Sequence, residues 1–440
     1  MKIFCFLGVL LIVLSAESAE HPKAFLGARI IPIEGEPIEC GTLLIDGDTI
    51  LAVGPQDAVE LPEETEQIDA TGKVIMPGLI CTHSHIGGPY AADGSGPIQP
   101  GVRVLDSLNV RDSGFKRALA GGLTSLNIMP GSGHLSSGQT VYVKLRFGGK
   151  GPTRIEDLLY RDEANRPLGG LKMANGTNSM RDAPFPGSRG KSAFLVREQY
   201  IKAREYHRKI IDAKEDPGEM PPRDLHLESL IEAMQGKRIV HHHTHRHDDI
   251  ITVLRLSREF GFRVVLHHVS EGWKVADEIA AANVPCSMIM IDSPGGKLEA
   301  RYLKFETGRI LEEAGVRTAF HTDDPILDSR YFLRSAALAV RAGMSRKAAL
   351  AGVTLAGAEM LDLQDRIGTL APGKDADFML LDGDPLSIYS KVLETWVEGV
   401  RVFDRSDPQD RLYAVGGYGA GHDQTPYFCC FDQANQGSGK

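Results

Sequence analysis

The sequence is poor in several things that mark common protein classes. Basic side chains do not outnumber acidic ones: 49 Lys and Arg stand against 58 Asp and Glu, for a formal charge of −9. With no basic excess to neutralise phosphates, a general nucleic-acid binder or anionic-membrane binder is excluded. Long apolar runs are missing too. The longest, Ile3 to Leu14, is 12 residues, short of the roughly 20 that a stable span needs. Cysteine is scarce, at six in 440 residues, and none has the spacing of a cysteine-based zinc site. The first apolar strand of the middle region is followed by histidines rather than a Gly-rich phosphate loop, which argues against a doubly wound dinucleotide-binding sheet.

The N-terminus has the pattern of a secretory leader. Lys2 precedes the apolar run, and small residues follow at Ser15, Ala16, Ser18 and Ala19. Residues 1–19 are therefore expected to be a signal peptide cut between Ala16 and Ala19, giving a secreted or periplasmic protein. Cys5 would leave with it. Cys40, Cys81, Cys286, Cys429 and Cys430 remain, an odd number that forms no disulfide framework. Cys81 lies in an apolar strand and is expected to pack as a small hydrophobe.

Composition is otherwise that of a folded globular chain, with 42% hydrophobic and 24% charged residues. Residues 22–76 read as short strands broken by Gly and Pro, and 363–411 return to strands. Together these ends predict one small composite β domain, a β-sandwich, with a flexible tail over 412–440. Between them, 77–362 alternates eight β-type runs with amphipathic helices. The runs are Gly78–His83, Thr124–Met129, Val141–Phe147, Gly170–Ala174, Arg238–His243, Arg263–His268, Val284–Ile291 and Val316–His321. Eight such units predict an α/β fold of the (β/α)8 TIM-barrel type.

Histidine is the unusual residue: ten of the 15 fall at the ends of runs one, five, six and eight. Catalytic groups of a barrel sit at the C-terminal ends of its strands. Side chains alternate along a strand, so His83 and His85 project to one side, a spacing at which two imidazoles grip one metal. In run five, His241, His243 and His245 share a face, and His243 at the strand end is the chosen ligand. In run six, His268 is expected to face inward with Val264 and Leu266, leaving His267 towards the helices or orienting a neighbour. Run eight puts His321 and Asp323 on one face.

Five ordered segments carry a family resemblance. They are Val74-Ile75-Met76-Pro77-Gly78-Leu79-Ile80-Cys81-Thr82-His83-Ser84-His85, His243-Thr244-His245-Arg246, His268-Val269-Ser270-Glu271-Gly272, Thr322-Asp323, and Gly368-Thr369-Leu370-Ala371-Pro372-Gly373-Lys374-Asp375-Ala376-Asp377. Over about residues 25–405 the chain resembles the amidohydrolase superfamily, most of all its imidazolonepropionase-like branch with peptidase-type relatives. The resemblance implies one or two divalent metals, zinc first, held by His83, His85, His243, His268 and Asp323. It also implies a bridging lysine carboxylated by carbon dioxide. Lys172, inward between Leu171 and Met173, is the first choice for it, and Lys144 in run three the competitor.

Metal-activated hydroxide would attack an amide carbonyl, with Asp323 taking the water's proton and passing it to the leaving nitrogen. His267 or His321 would orient a ligand or stabilise the oxyanion. Tyr90, His134, Arg181, Arg189 and Arg246, in loops after strands, are candidate substrate contacts, since an arginine can clamp a carboxylate bidentately. The expected partner is a small peptide-like or N-acyl amino acid substrate, and a homo-oligomer is compatible with the sequence. A mononuclear cyclic-amide hydrolase or deaminase is the second reading. A catalytically inert metal- or ligand-binding barrel is the third, and the full set of ligand positions counts against it.

Overall fold

The computed structural model describes residues 21–88, 93–149, 151–214, 217–291 and 297–416. The expected leader, Tyr90, and Cys429 and Cys430 lie outside them. Among the described residues no helix is long and apolar enough to cross a membrane.

The two ends of the chain meet in one sheet. Lys23–Ile30, Ile38–Asp46, Thr49–Pro55, Glu66–Asp69 and Val74–Pro77 join Phe378–Leu381, Val392–Val397 and Val400–Asp404 in a single eight-stranded sheet. The seam is antiparallel, with Met76 opposite Met379 and Ile75 opposite Leu380. Alternation then sorts the side chains by face. Ile75, Phe378 and Leu380 enter the sheet's own core with Phe25, Leu43 and Trp396, while Met76, Met379 and Leu381 pack on the central block. Phe25 meets the rings of Phe378 and Trp396 edge-on at 5.0 and 5.1 Å. The expected tail starts too early: Pro408–Val415 is helical, with the Asp407 carboxylate accepting from the Gln409 and Asp410 N–H groups.

The central block holds two more sheets. One runs Thr318–Phe320, Cys286–Met288, Val264–His268, Val240–Thr244, Leu171–Ala174, Ser136–Gln139, and the other Leu79–Ser84, Leu123–Ile128, Val141–Lys144. Hydrogen bonds link them at both edges. Thr140 N–H reaches Gly170 O and Tyr142 N–H reaches Leu168 O; at the far edge, His85 N–H reaches Asp324 O and Asp323 N–H reaches His83 O. Neighbour relations therefore close on themselves. Most pairs are parallel.

The third run corrects the expectation of eight equivalent parallel strands. Val141–Lys144 is antiparallel to Leu123–Ile128, and Ser136–Gln139 is antiparallel to Leu171–Ala174. A parallel crossover needs a dozen or more residues, usually a helix. The link from Ile128 to Val141 spends four of its residues on the strand Ser136–Gln139, so no helix fits.

Facing in run six is also corrected. Val265 packs with Ile239, just before the strand Val240–Thr244, and with Ala319 in the strand Thr318–Phe320, so it points inward. Val264 and Leu266 join the cluster that includes the helical residues Val253 and Ile279. His267, two residues from Val265, is therefore the inward histidine. Between these strands, His247–Phe260 shows how the helices are cut. Ile250, Val253, Leu254 and Phe260 are buried at helical spacing, Asp248 and Asp249 sit in the first turn, and Gly261 ends the helix at φ 77°.

Candidate metal centre

Gly78 opens the strand that delivers the first two histidines. A Cβ there would lie 2.2 Å from Thr124 Cγ2, so only glycine permits this approach. Pairing slips between Cys81 and Ser84, and simple alternation breaks with it. Thr82, whose hydroxyl meets Ser287 Oγ at 2.6 Å, and His83 both reach the interior. Cys81 is buried in the apolar cluster, with its sulfur 3.3 Å from the Thr322 hydroxyl.

His83 and His85 converge on Asp323. Their Nε2 atoms lie 3.1 and 3.0 Å from Asp323 Oδ1, and 3.3 Å from each other. His85 Nδ1 is 2.7 Å from the Met129 carbonyl. A carbonyl only accepts, so Nδ1 carries the proton and Nε2 keeps a free lone pair. Asp323 sits at φ 50°, and this left-handed turn after the last strand aims its carboxylate back at the pair. Burial alone would raise its pKa, but the imidazoles around it, His85 and His268 first, hold it well below the usual carboxylate range. Asp324 takes no part. Its Oδ2 accepts from the Ser329 N–H and hydroxyl at 2.9 and 2.7 Å.

Lys172 is fully buried and inward, while Leu171 and Met173 join the helix-facing cluster. Its amine is 3.1 Å from His83 Nε2 and 3.1 Å from Met129 Sδ. Burial lowers its pKa to about 7, against the pull of Asp323. Lys144 is placed elsewhere. It is buried against Asp375, with Asp377 at 2.9 Å and Glu398 at 3.3 Å, and these carboxylates raise its pKa despite burial. A lysine held charged by three carboxylates lacks the free amine that carboxylation requires, which removes it as the competitor to Lys172.

A second group of ligand atoms comes from His243, His245 and His268, all within 4.8 Å of one another. His243 and His245 share a face, and the Nδ1 of His245 meets Ser270 Oγ at 2.7 Å. His268 arrives differently from the expectation. Its backbone is left-handed at φ 72°, and Val269 follows at φ 42°, which turns the ring in from a strand position that would otherwise face the helices. Its Nδ1 lies 3.3 Å from His321 Nε2, and its buried Nε2 has no partner among the described residues.

His321 is fixed through Nδ1 to Ser287 Oγ at 2.8 Å. His267 lies among the rings of His83 and His321 and bonds His241 at 3.0 Å; His241 in turn reaches the Tyr142 hydroxyl at 3.1 Å. Burial pushes His241 and His321 down to about 3, so both are neutral near pH 7.

This donor set fits a divalent cation. It offers an anionic oxygen, a lone pair freed by tautomer at His85, and a buried unpartnered nitrogen at His268.

The outer candidates separate. Arg189 is engaged by Asp249 at 2.9 Å and Glu299 at 3.4 Å, and Arg246 by Asp248 at 2.9 Å. Neither is free to clamp a substrate. His134 bonds the Asp93 carbonyl at 2.6 Å and packs on Phe185, which also meets the Arg181 guanidinium, 3.6 Å from the ring centre. Three residues at the centre were not singled out from sequence: His245, Lys297 and Glu299. Lys297 Nζ lies 3.1 Å from His243 Nε2 and 2.8 Å from His245 Nε2. His245 shares the parity of His243, which is a usable signal. Lys297 reaches the site from a loop more than 50 residues away in sequence, which leaves none.

Comparison with known proteins gives a consistent picture. The model of the Amidohydrolase family matches residues 225–403. The crystal structure of an amidohydrolase from Thermotoga maritima is similar at TM-score 0.80 and 32% identity, covering 87% of this chain and 100% of that one. A prolidase complexed with N-methylphosphonate-L-proline shares the fold at TM-score 0.56 and 18% identity, over 87% of this chain and 100% of that one. In sequence, the chain is 27% identical to amidohydrolase tasK of Hapsidospora irregularis over 391 residues. That is 83% of this chain, which spans 40% of the length of that relative. It is 23% identical to the imidazolonepropionase of Bdellovibrio bacteriovorus over 409 residues, 84% of this chain and 89% of that protein.

Proposed function

The chain belongs to the amidohydrolase superfamily, hydrolases acting on C–N bonds, and from that premise we propose that it cleaves amide bonds of small peptide-like or N-acyl amino acid substrates at a divalent metal centre. Superfamily structures are TIM barrels, and we read the ring of strands as a (β/α)8 barrel with the composite sheet as its β domain. The observation that carries the functional reading is the convergence of His83 and His85 on Asp323 Oδ1, at 3.1 and 3.0 Å.

Zinc bound there would polarise the substrate carbonyl and make hydroxide available near neutral pH. His83, His85, His243, His268 and Asp323 are the proposed ligands. Lys172 is neutral in part near pH 7, the state in which its nitrogen can bond the carbon of carbon dioxide and release a proton; the resulting anion would bridge two ions. Asp323, held as an anion beside the two histidines, accepts the proton of the attacking water and returns it to the leaving nitrogen. His321, neutral and fixed by Ser287, holds the geometry of His268. At the rim, no carboxylate pairs with Arg181 among the described residues, which suits it to a substrate carboxylate.

A second reading follows from the length over which an imidazolonepropionase aligns: a mononuclear cyclic-amide hydrolase using His83, His85, His243 and Asp323. Metal analysis of purified protein, run beside a hydrolysis screen of dipeptides, N-acyl amino acids and cyclic amides, separates the two. Two ions per chain with turnover of linear amides supports the first. One ion with turnover of cyclic amides alone overturns it. The apolar run near the N-terminus supports an exported protein, testable by N-terminal sequencing of the mature chain.

A further inference from the structure

We infer that Lys297 is a built-in cation of the second half of this centre, one that holds His243 and His245 in the absence of metal and must give them up when an ion binds. The inference rests on the proposed metal centre and concerns which half of it fills first. Lys297 Nζ stands between the two Nε2 atoms, at 3.1 Å from His243 and 2.8 Å from His245. An ammonium only donates, so both imidazoles accept at Nε2. At His245 the other nitrogen is taken by Ser270, so Nε2 is the lone pair that a metal would need. Ammonium and metal therefore compete for the same electrons. Both are cations, and a few ångströms apart they repel.

The lysine has somewhere to go. Glu299 Oε1 lies 3.6 Å from Lys297 Nζ, is buried, and has no hydrogen-bond partner among the described residues. The other oxygen of Glu299 is fixed by the Thr177 N–H at 2.9 Å and by Arg189 at 3.4 Å. Close packing fixes this carboxylate further, because a Cβ on Gly176 would lie 2.6 Å from Oε2. A lysine on a flexible four-carbon stem can thus trade two imidazoles for a preplaced carboxylate. The other half also has a lysine, Lys172 at 3.1 Å from His83 Nε2, but there the Asp323 carboxylate supplies an anionic oxygen that the His243–His245–His268 group lacks. The two halves therefore differ in the work of loading. The His83–His85–Asp323 side fills first, and the His243–His245–His268 side fills only by displacing Lys297.

The test is zinc titration of metal-stripped full-length protein, followed by calorimetry and by counting ions per chain after dialysis. Wild type is expected to bind one ion tightly and a second more weakly. Lys297→Met should leave the first event unchanged and tighten the second by roughly tenfold or more, the scale set by removing a unit charge a few ångströms from the ion. Lys297→Arg keeps the charge and should behave as wild type. The inference is overturned if Lys297→Met leaves the second event unchanged or weakens it, or if Lys297→Arg tightens it as the methionine does. If wild type binds no zinc at all, the metal centre itself falls and this inference with it, an outcome distinct from unequal behaviour of the variants.

Discussion

The Lys172 amine lies 3.1 Å from His83 Nε2 in a fully buried setting, with a pKa lowered to about 7. An uncompensated ammonium would be costly there, whereas a carboxylated lysine would meet metal ions with a negative charge. Lys172→Ala is expected to lose one ion and most activity, with added short carboxylates restoring part of both. Metal counting and rescue assays check this; a variant that keeps two ions and full turnover contradicts the bridging role.

Lys144 makes the contrasting case. Its pairs with Asp377 at 2.9 Å and Glu398 at 3.3 Å tie the ring to the return segment of the outer sheet. Removing one partner of a buried pair costs about 3–5 kcal/mol. Lys144→Met should lower thermal stability on that scale and leave ions per chain unchanged. Loss of metal without loss of stability would reverse the assignment of the two lysines.

Asp323→Asn should lower kcat by about 10²–10⁴-fold with the fold intact, since the amide keeps the shape and removes the proton acceptor. Asp324→Asn, which disturbs the Ser329 contacts and the 4.0 Å pair with Arg117, should act on stability first. Circular dichroism and kcat measured together decide. Wild-type turnover in Asp323→Asn would exclude it as base.

Removing either arm of the donor set should remove metal and activity in step. His83→Ala and His268→Ala are the variants, read by metal analysis, and unchanged occupancy in both would refute the ligand assignment.

Acid should destabilise the metal-free protein. His241 is held to about 3 when folded and titrates near 6.5 when unfolded. The unfolded chain therefore binds the extra proton between these values, and stability falls as pH drops from about 6.5 to about 3. The full effect of this one group is roughly 4–5 kcal/mol. His241→Gln should flatten the fall of Tm between pH 7 and 4; an unchanged slope would show that other groups carry it.

Arg181→Met should raise KM for substrates with a free carboxylate and leave kcat nearly unchanged, with capped substrates unaffected. Equal KM for both classes in wild type and variant would remove Arg181 from recognition.

Much of the centre was legible because strand parity is a strict rule where one face is marked. It placed Lys172 between two apolar neighbours and put His241, His243 and His245 on one side. Parity misled at Val264–His268 because both faces of a buried parallel strand are apolar, so Val264 and Leu266 carry no sign of direction. The left-handed backbone of His268 then overrode alternation at the strand end. The antiparallel third run was readable from its short connection, but the even spacing of apolar runs pointed to a regular repeat instead. Lys297 and Glu299 reach the centre through tertiary contact alone, and nothing local marks either one.

A ribosome releases Val74–Pro77 about 300 residues before its antiparallel neighbour Phe378–Leu381. Throughout that interval the nascent chain carries an open edge whose N–H and C=O groups are available to any passing strand. Synthesis of the last seam is thus the step that protects the first, and a nascent chain halted before residue 378 should be the aggregation-prone species.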